Sequence, residues 1–186
     1  YEKIVRHYEE WAERQKNGEL LIRGDKRDYQ ISRQGFIKYY LNPLFTESAI
    51  SSWAVFEHLV KNQSGRHKHQ GGIIIYVIEG QGASEVDDAL IEWQAGDLLL
   101  LPIKPGGSAH QHWNRDTSKG CRWIAFRDLL TARYTANAID QFAAVVREHL
   151  GLHGFHHIGP AEVDFLRRRR SGRLRRHART LAGVGE

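Results

Sequence analysis

GRHKHQGGIIIY, residues 65–76, decides how this chain is read. His67 and His69 stand two apart, just ahead of a β-branched run. On a strand, residues i and i+2 point to the same face. The two imidazoles are therefore expected on one side. HQHWN, residues 110–114, repeats this parity in His110, His112 and Asn114. Two such strands can aim up to four imidazoles into one interior. Neutral imidazole is the commonest nitrogen ligand for iron, zinc, copper and nickel.

Around these segments lie more short runs of the same kind. FIKYYL (36–41), WAVFEHLV (53–60), GIIIYVIE (72–79), LLLLP (98–102) and RWIAF (122–126) are rich in β-branched or aromatic residues. Glu79-Gly80-Gln81-Gly82 and Ala95-Gly96-Asp97 read as tight turns between them. Strands this short and this closely spaced predict an antiparallel sandwich or barrel. The period changes at both ends. YEKIVRHYEEWAERQK (1–16) places Ile4, Tyr8 and Trp11 at helical spacing and stops at Asn17-Gly18. TANAIDQFAAVVREHLG (135–151) puts Ala138, Phe142, Val145 and Val146 on one helical face, and Pro160 suits the first turn of a further helix. The expected organisation is mainly β: a helix and connector over 1–34, a β domain over 35–130, and a helical, Arg-rich extension over 131–186.

Composition narrows the class. A hydrophobic content of 41% in 186 residues suffices for a core and argues against disorder. No apolar run approaches the length of a membrane-spanning helix. No charged-then-apolar leader opens the chain, so a signal peptide is not expected. The single cysteine, Cys121, excludes an internal disulfide and points to a reducing, cytoplasmic setting. The net charge of +5 suggests a polyanionic partner, but its distribution does not. Residues 166–186 hold eight Arg and one acid, Glu186, so the remaining chain carries a net −2. Any nucleic-acid contact is expected only through that segment, which is read first as a docked helix or dimer arm.

The combination from Gly65 to Asn114 resembles the two motifs of the cupin superfamily. The first, Gly-x5-His-x-His-x3/4-Glu-x6-Gly, is matched by His67-Lys68-His69 and Gly80. The second, Gly-x5-Pro-x-Gly-x2-His-x3-Asn, is matched by Pro105, Gly107, His110 and Asn114. Gly96-Asp97 opens it with three extra residues before Pro105; alternatively Pro102 is the motif proline and a longer loop follows. Two positions depart from the pattern. Lys61 stands where the first Gly belongs, and Ile73 stands where the Glu ligand belongs. Glu79 is no replacement, being about 30 Å from His69 along an extended strand. The resemblance implies a single double-stranded β-helix (jelly-roll) barrel flanked by helices, with His67, His69 and His110 as three metal ligands.

Three neutral ligands leave a divalent metal its full charge and room for a bidentate anionic substrate beside dioxygen. Three-histidine cupins include gentisate- and salicylate-type ring-cleaving dioxygenases, thiol dioxygenases and a β-diketone dioxygenase. HQHWN looks like the HxHxN of the gentisate type, which implies that His110 is a ligand and His112 an acid/base or hydrogen-bond donor beside the substrate. Gln70, Trp113, Arg122 and Arg127 are further substrate-binding candidates. Arg66, Lys68 and Arg115 share the capacity to hold a carboxylate. Arg122 and Arg127 have opposite parity, so at most one points inward; the same holds for Tyr39 and Tyr40. Asn114 reads as structural, closing the turn after its strand. His149, His153, His156 and His157 lack the cysteine or acid partners of an ordinary zinc site.

The expected function is that of a non-haem Fe(II) dioxygenase acting on a small aromatic or hydroxy/keto-acid substrate, working as a homodimer. The alternatives are a non-catalytic cupin sensor or regulator with a basic arm, and a cupin isomerase or lyase using zinc, nickel or manganese.

Overall fold

The computed structural model describes residues 1–116, 118–135 and 139–143. Helix α1 (Glu2–Asn17) precedes strands β1 (Gln30–Ser32), β2 (Gly35–Leu41), β3 (Trp53–Val60), β4 (Arg66–His69), β5 (Ile73–Glu79), β6 (Gln81–Val86), β7 (Ala89–Gln94), β8 (Leu98–Leu101), β9 (Ser108–Asn114) and β10 (Cys121–Asp128). A short helix α2 (Leu129–Tyr134) and strand β11 (Asp140–Ala143) follow. Two antiparallel sheets result, a six-stranded one in the order β1-β2-β3-β10-β5-β8 and a five-stranded one in the order β11-β4-β9-β6-β7. The two sheets face each other across the core in the jelly-roll arrangement that the sequence implies.

Side-chain parity builds that core. On β5, Ile73, Ile75 and Val77 are buried while Ile74 and Tyr76 are exposed. On β10, Cys121, Trp123 and Ala125 are buried on the same principle. Val60, Leu99 and Leu101 join them from β3 and β8. Outside the core, Glu57 is 2% exposed, covered on the outer face of β3 by Tyr29, Tyr40, Lys38 and Arg122. Helix α1 buries no residue. Polar contacts tie it to the β2–β3 connection: Arg14 donates to Ser48 O at 2.6 Å and Phe45 O at 2.7 Å, and Trp11 donates to Ser51 Oγ at 2.8 Å.

Two elements differ from the sequence-based expectation. The span 81–94 is a hairpin, β6–β7, that hydrophobic patterning does not predict. Its first strand, QGASEV, is small and polar, so local propensity is weak there. Within the helix expected over 135–151, the described residues 140–143 form β11, paired with β4. Pairing there covers an edge of β4 that would otherwise be open. Gln141 pins the strand by donating to Arg66 O and Ala143 O. Residues 136–138 and 144–151 of that expected helix, the His149–His157 cluster and the Arg-rich segment lie outside the described residues.

Candidate metal centre

β4 and β9 are antiparallel neighbours in which His67 sits directly opposite His110. Their ring centroids are 4.2 Å apart, and His69 lies 5.0 Å from His67 and 4.7 Å from His110. One nitrogen from each ring falls within 4.8 Å of the others, so the three can hold a metal ion together. The donor set suits a divalent transition metal. His69 Nδ1 is 2.5 Å from Gln70 O and His110 Nδ1 is 3.1 Å from Ser108 O. A carbonyl only accepts, so each Nδ1 carries the proton and each Nε2 is left with its lone pair. Burial, chiefly, pushes the pKa of His67 and of His69 down to about 4 and that of His110 well below its ordinary value, so all three are neutral near pH 7.

Gly107 shapes the approach to this centre. It has φ +75, and a Cβ there would stand 2.6 Å from His69 O. Asn114 closes the far end of β9. Its amide donates to Lys61 O and Lys119 O, and its Oδ1 accepts from Asp116 N–H and lies 2.7 Å from Cys121 Sγ. With that, its hydrogen-bonding capacity is used structurally.

The three histidines open into a cavity of about 440 Å³. Its walls are apolar: Ile37, Phe56, Ile73, Ile75, Leu101 and Trp123 among others. No Asp or Glu lines it among the described residues. His112 joins it from β9, its Nδ1 2.6 Å from Ser84 Oγ. Burial also holds His112 well below the ordinary histidine pKa. His58 joins from β3, packed edge-on against Trp123 at 4.7 Å, and burial pushes its pKa down to about 3. Sequence patterning passes over His58 because it is a single histidine. The signal available was its parity with Ala54, Phe56 and Val60 in WAVFEHLV.

The cationic candidates separate by parity. Arg127 lines the cavity, and its Nε and Nη2 are buried without an acceptor among the described residues. Arg122 lies on the outer face of β10, bound to Glu57 at 3.2 Å and Glu79 at 3.4 Å. Arg66 pairs with Glu85 and Arg115 with Glu92. Tyr39 lines the cavity while Tyr40 bonds Glu57 on the opposite face. Trp113 points away from the cavity, its indole donating to Gln63 Oε1 at 3.0 Å and packing with Ala83 and Leu90. Its odd position between His112 and Asn114 dictates this. Gln70 is buried beside the centre but does not line the cavity.

Comparison with known proteins agrees with this geometry. Residues 55–127 match the family model described as Cupin domain. A gentisate 1,2-dioxygenase from Streptomyces is 28% identical over 134 residues, covering 67% of this chain and 35% of that enzyme. A second gentisate 1,2-dioxygenase, from Haloferax, is 29% identical over 69 residues, covering 37% of this chain and 19% of the relative. This chain thus spans little more than a third of the first relative and less of the second. Among solved structures, the polyketide cyclase RemF from Streptomyces resistomycificus superposes with a TM-score of 0.51 at 14% identity, over 71% of this chain and 89% of that one. The last similarity concerns the fold alone. No helix among the described residues is long and apolar enough to cross a membrane.

Proposed function

We propose that this chain is a metal-dependent cupin oxygenase, a non-haem iron(II) dioxygenase acting on a small aromatic or hydroxy/keto acid. One observation carries the reading: three neutral imidazoles converge on a cavity that, among the described residues, has no carboxylate in its lining and contains a guanidinium whose Nε and Nη2 are buried without an acceptor. Such a cavity favours an anion. The similarity to two gentisate dioxygenases supports the same class of substrate.

His67, His69 and His110 would hold the ion. Bound iron(II) would offer a site for substrate oxygens and dioxygen together and would pass electron density from the substrate to dioxygen. The chain's own residues do the rest. Arg127 binds the substrate carboxylate through the two nitrogens that lack a partner. Ile73, Ile75, Phe56 and Trp123 hold the carbon skeleton and exclude water. His112 stands beside the centre, neutral and able to exchange a hydrogen bond or a proton with a substrate oxygen. The proposal includes a homodimer, supported by the apolar outer face that β5, β8 and β10 leave exposed at Ile74, Tyr76, Leu98, Leu100 and Phe126.

Oxygen uptake by the iron-loaded protein, measured over a panel of hydroxybenzoates, hydroxy acids and 1,3-diketones, tests the activity. Uptake that depends on one of these acids is expected. No uptake with any of them contradicts the reading, and turnover without oxygen consumption replaces it with an isomerase or lyase.

A further inference from the structure

We propose that Ser84 and Trp93 are positioning residues that lock His112 with its proton on Nε2, the opposite tautomer to that of His69 and His110. The consequence for catalysis rests on the oxygenase reading; the tautomer itself does not.

Ser84 on β6 sits directly across from His112 on β9. Its Oγ is 2.6 Å from His112 Nδ1 and receives the Trp93 Nε1–H at 2.8 Å. Ser84 is 0% exposed, so no solvent serves it. An indole nitrogen only donates, whereas a hydroxyl offers one proton and two lone pairs. With Trp93 occupying a lone pair, two arrangements remain. If His112 carried a proton on Nδ1, Ser84 would accept twice and its own buried proton would have no acceptor. If Nδ1 is bare, the Ser84 proton goes to it and every group is satisfied. A buried donor left unmade is costly, so the second arrangement is selected. The same reasoning excludes a doubly protonated ring.

Gly82 makes the relay possible. A Cβ at that position would lie 2.2 Å from Trp93 Cη2, so only glycine lets the indole lie against β6 and reach Ser84. Trp93 is itself 6% exposed and belongs to the core, which fixes its N–H in direction.

Two histidines two residues apart on one strand are thereby given different tasks. The carbonyl of Ser108 turns the His110 lone pair outward from Nε2. The hydroxyl of Ser84 turns the His112 proton outward from Nε2. His112 is then excluded as a fourth ligand and presents an N–H to an oxygen atom of a molecule in the cavity.

Long-range proton–nitrogen NMR of the metal-free, full-length protein with labelled histidine reads the tautomer directly. His112 signals are assigned by their loss in His112→Gln. A protonated Nε2 and a bare Nδ1 are expected; a protonated Nδ1 overturns the proposal. Trp93→Phe frees Ser84 to accept as well as donate, so a mixture of tautomers is expected. Ser84→Ala, a smaller change, removes the partner of Nδ1 and is expected to mix the tautomers too. An unchanged single tautomer in both variants overturns the role of the relay. Zinc is then added to the wild type. One ring nitrogen of His67 and Nε2 of His69 and His110 should shift while His112 keeps its Nε2 proton, and loss of that proton overturns the proposal. Failure to bind zinc at all counts against the metal-centre reading and leaves the tautomer result standing.

Discussion

His67 and His110 face each other across the β4–β9 pair, their ring centroids 4.2 Å apart. The register that brings them together also places His69 opposite Ser108, so its ring reaches the same point from one step along the strand. The centre is thus a property of strand pairing and depends little on loops. What surrounds it makes the testable claims.

Arg127 is half-buried in the cavity wall, its Nε and Nη2 buried without an acceptor among the described residues. Burial lowers its pKa, which is the electrostatic sign of an uncompensated charge. Arg127→Gln should therefore leave the free protein as stable as the wild type or more stable. The same change should weaken binding of an aromatic carboxylate by about 10- to 100-fold, the loss of a charge-assisted hydrogen bond of about 1.5–3 kcal/mol. Thermal unfolding and calorimetric titration with salicylate measure the two effects. A variant that is less stable yet binds normally would show Arg127 to be structural.

The histidines make the metal-free fold sensitive to acid. His67 and His69 titrate near 4 and His58 near 3 when folded, against 6.5 for a free side chain. Between about 6.5 and 4 the unfolded chain therefore binds more protons than the folded one. Stability is complete above that window and falls as the pH drops through it, with a slope of about 1.4 kcal/mol per pH unit for each such histidine. Denaturant melts of the metal-free protein from pH 7.5 to 4.5 should show this decline. A flat profile would contradict the burial of these rings.

Glu57 carries the outer side of β3. Lys38 and Arg122 lie 3.2 Å from its oxygens, Tyr40 donates at 3.0 Å, and Tyr29 donates to the same carboxylate. Glu57→Gln keeps the shape but leaves the largely buried Lys38 without its charge partner and Arg122 with Glu79 alone. A loss of about 2–3 kcal/mol is expected in chemical denaturation. Metal binding should be unaffected, since Glu57 faces away from the cavity. A change below about 0.5 kcal/mol would show that solvent replaces the carboxylate.

Gly107→Ala and Gly96→Ala form a matched pair. Both positions have positive φ, +75 and +95, but only at 107 would a Cβ collide with the backbone of His69; at 96 nothing lies within 4 Å. Gly96→Ala should cost about 1–2 kcal/mol of backbone strain and leave metal affinity intact. Gly107→Ala should cost more and weaken the metal as His69 is displaced. Equal metal affinity in the two variants would separate Gly107 from the centre.

Much of this centre was legible in the sequence because strand parity is strict. HxH spacing placed His67 with His69 and His110 with His112, and parity alone said that Arg122 and Arg127 could not both face inward. It could not say which one does. That depends on register: Arg122 lies opposite Leu59 of β3 and Glu79 of β5, on the face where Glu57 waits. His58 was invisible for a different reason, since one histidine in an apolar strand has no spacing to betray it. The β6–β7 hairpin was hidden by small and polar residues whose burial comes from Trp93 and β9. Asp140–Ala143 reads as helix locally and becomes strand because β4 offers it an edge. In each case a long-range contact overrode, or decided between, local preferences.

The central claim is that His67, His69 and His110 together hold one divalent metal ion. Anaerobic titration of the metal-free protein with iron(II), followed by metal analysis after desalting, tests it most directly. One ion per chain is expected. His110→Ala should lose far more than the 10- to 100-fold in affinity typical of removing an outer hydrogen-bond partner of a ligand. Less than a tenth of an ion bound to the wild type, or an unchanged stoichiometry and affinity in His110→Ala, would contradict it.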